Sequence, residues 1–211
     1  MPNPDYSPSA DRNKQPILDV LQSVLPRKGL ALEIASGTGQ HVEWFAKHLP
    51  DWTWQPTDAH PGALLNIEMR ANEGDLVNVL ESVQLDVCNE PWFAPGSALA
   101  AAHPTPRFDL MLCINMLHIS PWAACPALMR GAAQYLAPSG VLVTYGPYFE
   151  ADVTPAPSNV EFDISLREQD RTWGIRQMAE VQQEAAKAGL VLRERHTMPA
   201  NNLLLVWARA G

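Results

Sequence analysis

The chain has 211 residues, of which 46% are hydrophobic, and a formal charge of −8. That length suits one α/β domain with a substantial core, read as a single unit over 1–211, while the acidic balance argues against a nucleic-acid backbone or an anionic membrane as the main partner, since both demand a basic face. The 3 cysteines, Cys88, Cys113 and Cys125, follow no metal or redox spacing, and no apolar run resembles a signal peptide or reaches membrane length, so no metal and a cytoplasmic location are expected.

Residues 1–10 read as an extended arm or a flexible tail. Asp11 to Leu25 follows as a helix, with Ser9 or Asp11 as its cap, Ile17, Leu18, Leu21, Val24 and Leu25 at helical spacing, and Pro26 ending it. Residues 1–29 thus form an arm and helix. Its charged head suits a lid in which Arg12 pairs a ligand carboxylate; a solvated helix start suits it equally. Leu30 to Ile34 is a buried strand that runs into Ala35-Ser36-Gly37-Thr38-Gly39, with a helix from about Gly39 to Leu49. Gly37 and Gly39 permit a sharp turn and close approach of a ligand, and such a turn after the first strand of an open sheet is a nucleotide-type site. No lysine follows the glycines, so this is not a P-loop, and Val42 stands where a dinucleotide fingerprint has its third glycine. Glu33, just before the turn, suits a ligand that carries an ammonium group.

Trp52 to Thr57 is the second strand. It ends at Asp58, placed to accept ribose hydroxyls roughly 20 residues beyond Gly39. Asp58 also suits the cap of the next helix, Pro61 to Asn72. A third strand is predicted over Leu80 to Val87, a loop with a short alanine-rich helix over 88–106, and a fourth strand over Arg107 to Asn115. Polar residues after a central strand sit at the cleft mouth in this architecture. Asn115 there suits the cofactor. His118 suits a base facing a substrate, or a packed residue at a helix start.

A helix over Trp122 to Leu136 leads through Ser139-Gly140 into the fifth strand, Val141 to Tyr145. The segment 147–172 is long, proline-bearing and polar, and reads as a substrate loop or lid. Tyr148, Asp163 and Arg167 are its candidate acceptor-lining and catalytic groups. Asp163 and Arg167 also stand four apart and suit a mutual ion pair. With Arg12, Arg167 permits an anionic or zwitterionic acceptor. Trp173 to Ala188 is a helix stopped at Gly189. Leu190 to Met198 and Asn202 to Arg209 are strands joined tightly enough to form an antiparallel hairpin.

The pattern Glu33-x-Ala35-x-Gly37-x-Gly39, the acid Asp58, and the order helix, Pro138-Ser139-Gly140 turn, fifth strand, hairpin resemble class I S-adenosylmethionine-dependent methyltransferases; the family usually has glycine where this chain has Ala35. Closer still is the resemblance to the methyltransferase-like 26 family, also called domain of unknown function 938. It is carried by Ser9–Lys14, Leu32–His41, Cys113–Trp122, Ser158–Asp163, Trp173–Arg176 and Met198–Asn202. The resemblance implies a doubly wound, seven-stranded, mostly parallel sheet with a C-terminal antiparallel hairpin. It also implies S-adenosyl-L-methionine as cofactor, held by Glu33, Ala35, Gly37, Gly39 and Asp58, with Asp86 and Val87 at the adenine; Asn115 and Arg12 are the further candidate cofactor contacts. The chemistry would be in-line methyl displacement onto a small molecule, in which alignment and water exclusion carry most of the rate. Two other readings remain open: a nicotinamide oxidoreductase, and a non-catalytic cofactor-binding protein with a protein partner. The oligomeric state is not readable from the sequence.

Overall fold

A computed structural model describes residues 4–211; of the expected arm, residues 1–3 lie outside the described residues. A seven-stranded sheet organises the chain. Its strands are β1 (Gly29–Ile34), β2 (Trp52–Asp58), β3 (Val83–Gln84), β4 (Phe108–Ile114), β5 (Leu136–Gly146), β8 (Leu190–Met198) and β9 (Asn202–Arg209), in the order β3-β2-β1-β4-β5-β9-β8. The first five are parallel neighbours; β9 runs antiparallel to both β5 and β8. A separate parallel pair joins β6 (Tyr148–Phe149) to β7 (Arg176–Gln177).

Period-two alternation sends successive side chains to opposite faces of the sheet. Met111 and Cys113 of β4 pack in one core with Leu128 and Ala132 of α5 (Ala124–Tyr135) and Val181 and Ala185 of α7 (Met178–Lys187). Leu110 and Leu112 pack in the other with Ile17 and Leu21 of α1 (Pro8–Val24), Phe45 of α2 (Gln40–His48) and Ile67 of α3 (Pro61–Glu73). Helices therefore cover both faces, as in a doubly wound sheet. No helix of the described residues is long and apolar enough to cross a membrane.

Four expected boundaries move. The first helix starts at Pro8, not Asp11: Ser7 caps it, accepting from Ala10 N at 3.3 Å, and Pro8 occupies the first turn, where its missing N–H is harmless. The third strand shrinks from Leu80–Val87 to Val83–Gln84, because side chains take the backbone groups beside it. Gln55 Nε2 donates to Glu81 O at 2.8 Å, and Glu68 Oε1 accepts from Ser82 N. The fifth strand is extended from Leu136 rather than Val141, since Leu136 pairs with Phe108 across a register shift. The helix expected from Trp173 begins only at Met178: the residues before it are drawn out by Gly174 N donating to His118 O (3.0 Å), Ile175 N donating to Asp163 Oδ1 (2.7 Å), and the pairing of β7 with β6. The 147–172 segment holds β6, α4 having been formed earlier (Ala98–Ala102), and then α6 (Pro157–Gln169).

Candidate functional site: a glycine turn with unpaired buried acceptors

Parallel strands bring their carboxyl ends to one edge of the sheet, and the candidate cofactor residues stand there in spatial order. Ile34 pairs with Cys113 and Cys113 with Thr144, so the turn after β1, Asn115 after β4 and Gly146 at the end of β5 share that edge. Asp58 ends β2, and Asp86 and Val87 follow β3.

The turn is left-handed at three positions: Ala35 (φ 57°), Gly37 (φ 56°) and Gly39 (φ 75°). At Gly39 a Cβ would come within 3.0 Å of Ile67 Cα, so a side chain would push α3 away. At Gly37 the nearest atom to a Cβ position is Ala35 O at 4.0 Å, which leaves the space over the turn open. Asp58 fixes the turn. Its Oδ2 accepts from Gly37 N and its Oδ1 from His60 N, each at 2.9 Å, so it serves the turn and the entry to α3 at once.

Glu33 is 2% exposed, and its Oε2 has no hydrogen-bond partner; the buried Ser36 hydroxyl has none either. Burial raises the Glu33 carboxyl to about 8; the neighbouring Ser36 side chain opposes the rise and the Asp58 carboxylate adds to it. Unpaired buried polar groups are costly in native proteins, and two beside one open turn offer acceptors that a ligand with hydrogen-bond donors could satisfy. These residues fit the aminoacyl and ribose ends of S-adenosylmethionine. Asp86 is partly buried and closes its own turn, accepting from Cys88 N at 2.9 Å, while Val87 packs in the core beside it.

Asn115 is left-handed (φ 61°) and donates its backbone N–H to Tyr145 O at 2.8 Å. Of the two readings of His118, the structure agrees with the packed residue and not with an open base at the cleft mouth. His118 is 1% exposed, neither ring nitrogen has a partner, and burial with the Arg176 charge nearby lowers it to about 3. A neutral imidazole therefore faces the interior at every physiological pH. Tyr148 packs edge-on against it, with ring centroids 5.0 Å apart, and spends its hydroxyl on Thr144 Oγ1 at 3.0 Å; burial raises the phenol above its ordinary range. Asp163 and Arg167 pair with each other at 2.8 Å, and Asp163 also holds Ile175 N. Arg12 is exposed, with no hydrogen bond or ion pair among the described residues.

Three residues that the sequence reading missed position the site. Gln40, directly after the turn, accepts from Ser7 N and donates to Ser7 O. Arg70 donates to Thr38 O at 2.7 Å and to Asp5 O at 2.6 Å. Together they strap the arm to the glycine turn, and Arg12 takes no part in the strap. Arg176 donates to Leu117 O, Ser120 O and Thr172 O and lies over the Trp122 ring, which fixes the stretch after β4. Gln40 and Arg176 both stand inside stretches that carried the family resemblance, a signal that could have found them.

Solved structures share this fold. The mitomycin 7-O-methyltransferase MmcR superposes with a TM-score of 0.77 at 15% identity, over 96% of this chain and 54% of that one. The S-adenosylhomocysteine-bound form of CalO1, a methyltransferase of calicheamicin biosynthesis, gives 0.73 at 15%, over 96% and 55%. An O-methyltransferase family 2 protein from Planctomyces limnophilus in complex with apigenin gives 0.75 at 19%, over 96% and 60%. The chain thus spans little more than half the length of these structures, and at such identity the likeness is one of fold. Residues 4–209 match a family model in full order, and the chain belongs to the family described as "Protein of unknown function (DUF938)".

Proposed function

We propose that the protein is an S-adenosylmethionine-dependent methyltransferase acting on a small molecule, the reading that the name methyltransferase-like 26 also suits. The observation that carries it is the pair of partnerless buried acceptors, Glu33 Oε2 and Ser36 Oγ, beside the open left-handed turn at Gly37. When bound, S-adenosylmethionine supplies a methyl group on a sulfonium, whose carbon–sulfur bond breaks with its electron pair passing to sulfur. In this reading Glu33 holds the ammonium group, the Gly37–Gly39 backbone holds the aminoacyl end, Asp58 accepts from the ribose, and Asp86 with Val87 borders the adenine. Asn115 lies toward the acceptor, whose hydroxyl or amine proton passes to solvent. The protein's work is alignment and water exclusion rather than acid catalysis. The charge of −8 favours a small acceptor over a nucleic acid. Val42, buried against the sheet where a dinucleotide site wants glycine, speaks against a nicotinamide enzyme.

Calorimetric titration with S-adenosylmethionine and S-adenosylhomocysteine, with Asp58→Ala as control, tests the reading. Micromolar affinity that weakens at least about tenfold in the variant is expected, a loss of a charge-assisted contact. No binding of either ligand by folded, ligand-stripped protein overturns it and returns the nicotinamide and partner-binding readings.

A further inference from the structure

Two stretches that carried the family resemblance, Ser158–Asp163 and Met198–Asn202, have no part in holding the cofactor, yet they meet. Asn159, in the first turn of α6, donates from Nδ2 to Asn201 O at 3.0 Å, at the tip of the β8–β9 hairpin. That tip holds Ala200 (φ 56°) and Asn201 (φ 57°) in succession in the left-handed region, which is strained for alanine. Strain of this kind gathers at functional sites.

Between the α6 start, the hairpin tip and the residues after β5 lies a cavity of about 210 Å³. Tyr148, Val153 and Leu203 give it apolar walls, and Asn159, Glu150 and Arg195 give it polar ones. Strand register sets it at the edge of the sheet that carries the glycine turn: Leu203 pairs with Gly146, the last residue of β5. Tyr148, in its wall, is the residue that packs on His118.

The polar groups define what fits. Glu150 and Arg195 form a two-pronged pair, Nε to Oε2 at 2.9 Å and Nη2 to Oε1 at 2.7 Å. The two charges satisfy each other at the exposed side of the cavity, so neither offers an unpaired charge to an ionic ligand. Asn159 is 8% exposed; its nitrogen is committed to Asn201 O, while its Oδ1 accepts no hydrogen bond among the described residues and stays open to solvent, free to accept one from a ligand. In size, a cavity of about 150 Å³ accepts benzene, so this one accommodates a single substituted ring or its equivalent. The anionic acceptor expected from Arg167 and Arg12 has no support in this arrangement, since Arg167 is taken by Asp163.

We propose that this cavity binds an uncharged molecule of single-ring size through a hydroxyl or N–H donated to Asn159 Oδ1, and that it is the acceptor subsite of the methyltransferase. The second half rests on the function proposed above. The test uses the full chain labelled with ¹⁵N and titrated with phenol and cyclohexanol as neutral donors, anisole as a ring without a donor, and benzoate as an ion. The Asn159 side-chain amide signals report occupancy. Phenol or cyclohexanol is expected to shift them and saturate at millimolar concentration, with anisole and benzoate at least about tenfold weaker. Asn159→Leu, followed on the backbone amides of the cavity lining instead, should weaken the neutral donors by a similar factor. Because that variant also loses a hairpin contact, Val153→Trp, at an exposed rim position, provides a second block. Absence of a shift with both neutral donors, equal binding of anisole or benzoate, or unchanged phenol binding in Val153→Trp overturns the proposal. Titration of the unaltered protein with S-adenosylhomocysteine separates the two readings: phenol binding without it leaves the cavity standing and removes its role as an acceptor subsite, and the reverse removes the cavity alone.

Discussion

Replacing Glu33 by glutamine should strengthen the empty protein and abolish its ligand affinity. Burial raises this carboxyl from 4.5 to about 8. Below pH 4.5 the folded and unfolded states both carry the proton, and Glu33 adds no pH dependence. Between 4.5 and 8 the unfolded chain gives up its proton first, so it binds fewer protons than the native state and stability falls as pH rises. Above 8 both states are ionised and the loss is complete, at about 3–5 kcal/mol from 1.36 kcal/mol per unit. Glutamine has nearly the same shape and no charge, so Glu33→Gln escapes this loss. Urea denaturation of ligand-free protein at pH 5 and pH 8.5 checks it: the variant should gain on the unaltered protein by several kcal/mol between the two pH values. Parallel pH dependence of the two proteins would refute the reasoning. The same burial predicts that an ammonium-bearing ligand draws the carboxyl into its ionised form. Calorimetry in buffers of different ionisation enthalpy should then show proton release on binding S-adenosylhomocysteine at pH 6.5, smaller release at pH 9, and no binding by the variant.

Three further outcomes follow from the geometry. Ala35→Gly should stabilise the protein by about 0.5–1 kcal/mol, because alanine at φ 57° is strained and glycine is not; chemical denaturation measures it, and a loss of stability would contradict the strain. His118 is held neutral down to about 3, whereas in the unfolded chain it takes a proton near 6.5, so its contribution is complete above 6.5 and declines as pH falls toward 3. His118→Gln should therefore lose about 2 kcal/mol less than the unaltered protein on going from pH 7 to pH 5, read from denaturation midpoints at the two pH values. Gly146→Ala would put a Cβ 2.4 Å from His118 Nε2 and 3.2 Å from Asn115 Oδ1. It should cost about 1–3 kcal/mol by overpacking, and an unchanged midpoint would mean that His118 moves freely.

Much of the frame was legible because it rests on local pattern. The apolar runs of β1, β2 and β4 and the tight link between Met198 and Asn202 need no distant partner to be read, and each stands close to its expected bounds. The misreadings share a cause. Leu80–Val87 has the composition of a strand, but Gln55 and Glu68 reach in and take the backbone groups a ladder would use. Ile175 and Met178 have helical spacing, but three tertiary links stretch Trp173–Gln177 before the helix can begin. The glycine turn and its acids were legible for another reason: a ligand that approaches backbone leaves its demand in residue type. The arm strap was not, because Gln40 and Arg70 act on the carbonyls of Ser7, Asp5 and Thr38, and a carbonyl has no signature in sequence.

The same reasoning explains why Asp163 and Arg167, which read as substrate contacts, sit beside the site without facing it openly. Asp163 holds Ile175 N, and this brings Gly174 against His118 O. A Cβ on Gly174 would fall within 2.6–2.8 Å of Arg167 and Asp163, so the glycine is what lets the three approach. Arg176, two residues on, then ties down Leu117 O and Ser120 O. Polar side chains are thus spent on backbone groups so that His118 can stand in a pocket with no partner of its own. Each of these links satisfies a group that would otherwise be buried unpaired, whereas His118 is left unsatisfied at its centre. His118 is the unsatisfied group among them, and Tyr148, which packs on it, also lines the Asn159 cavity.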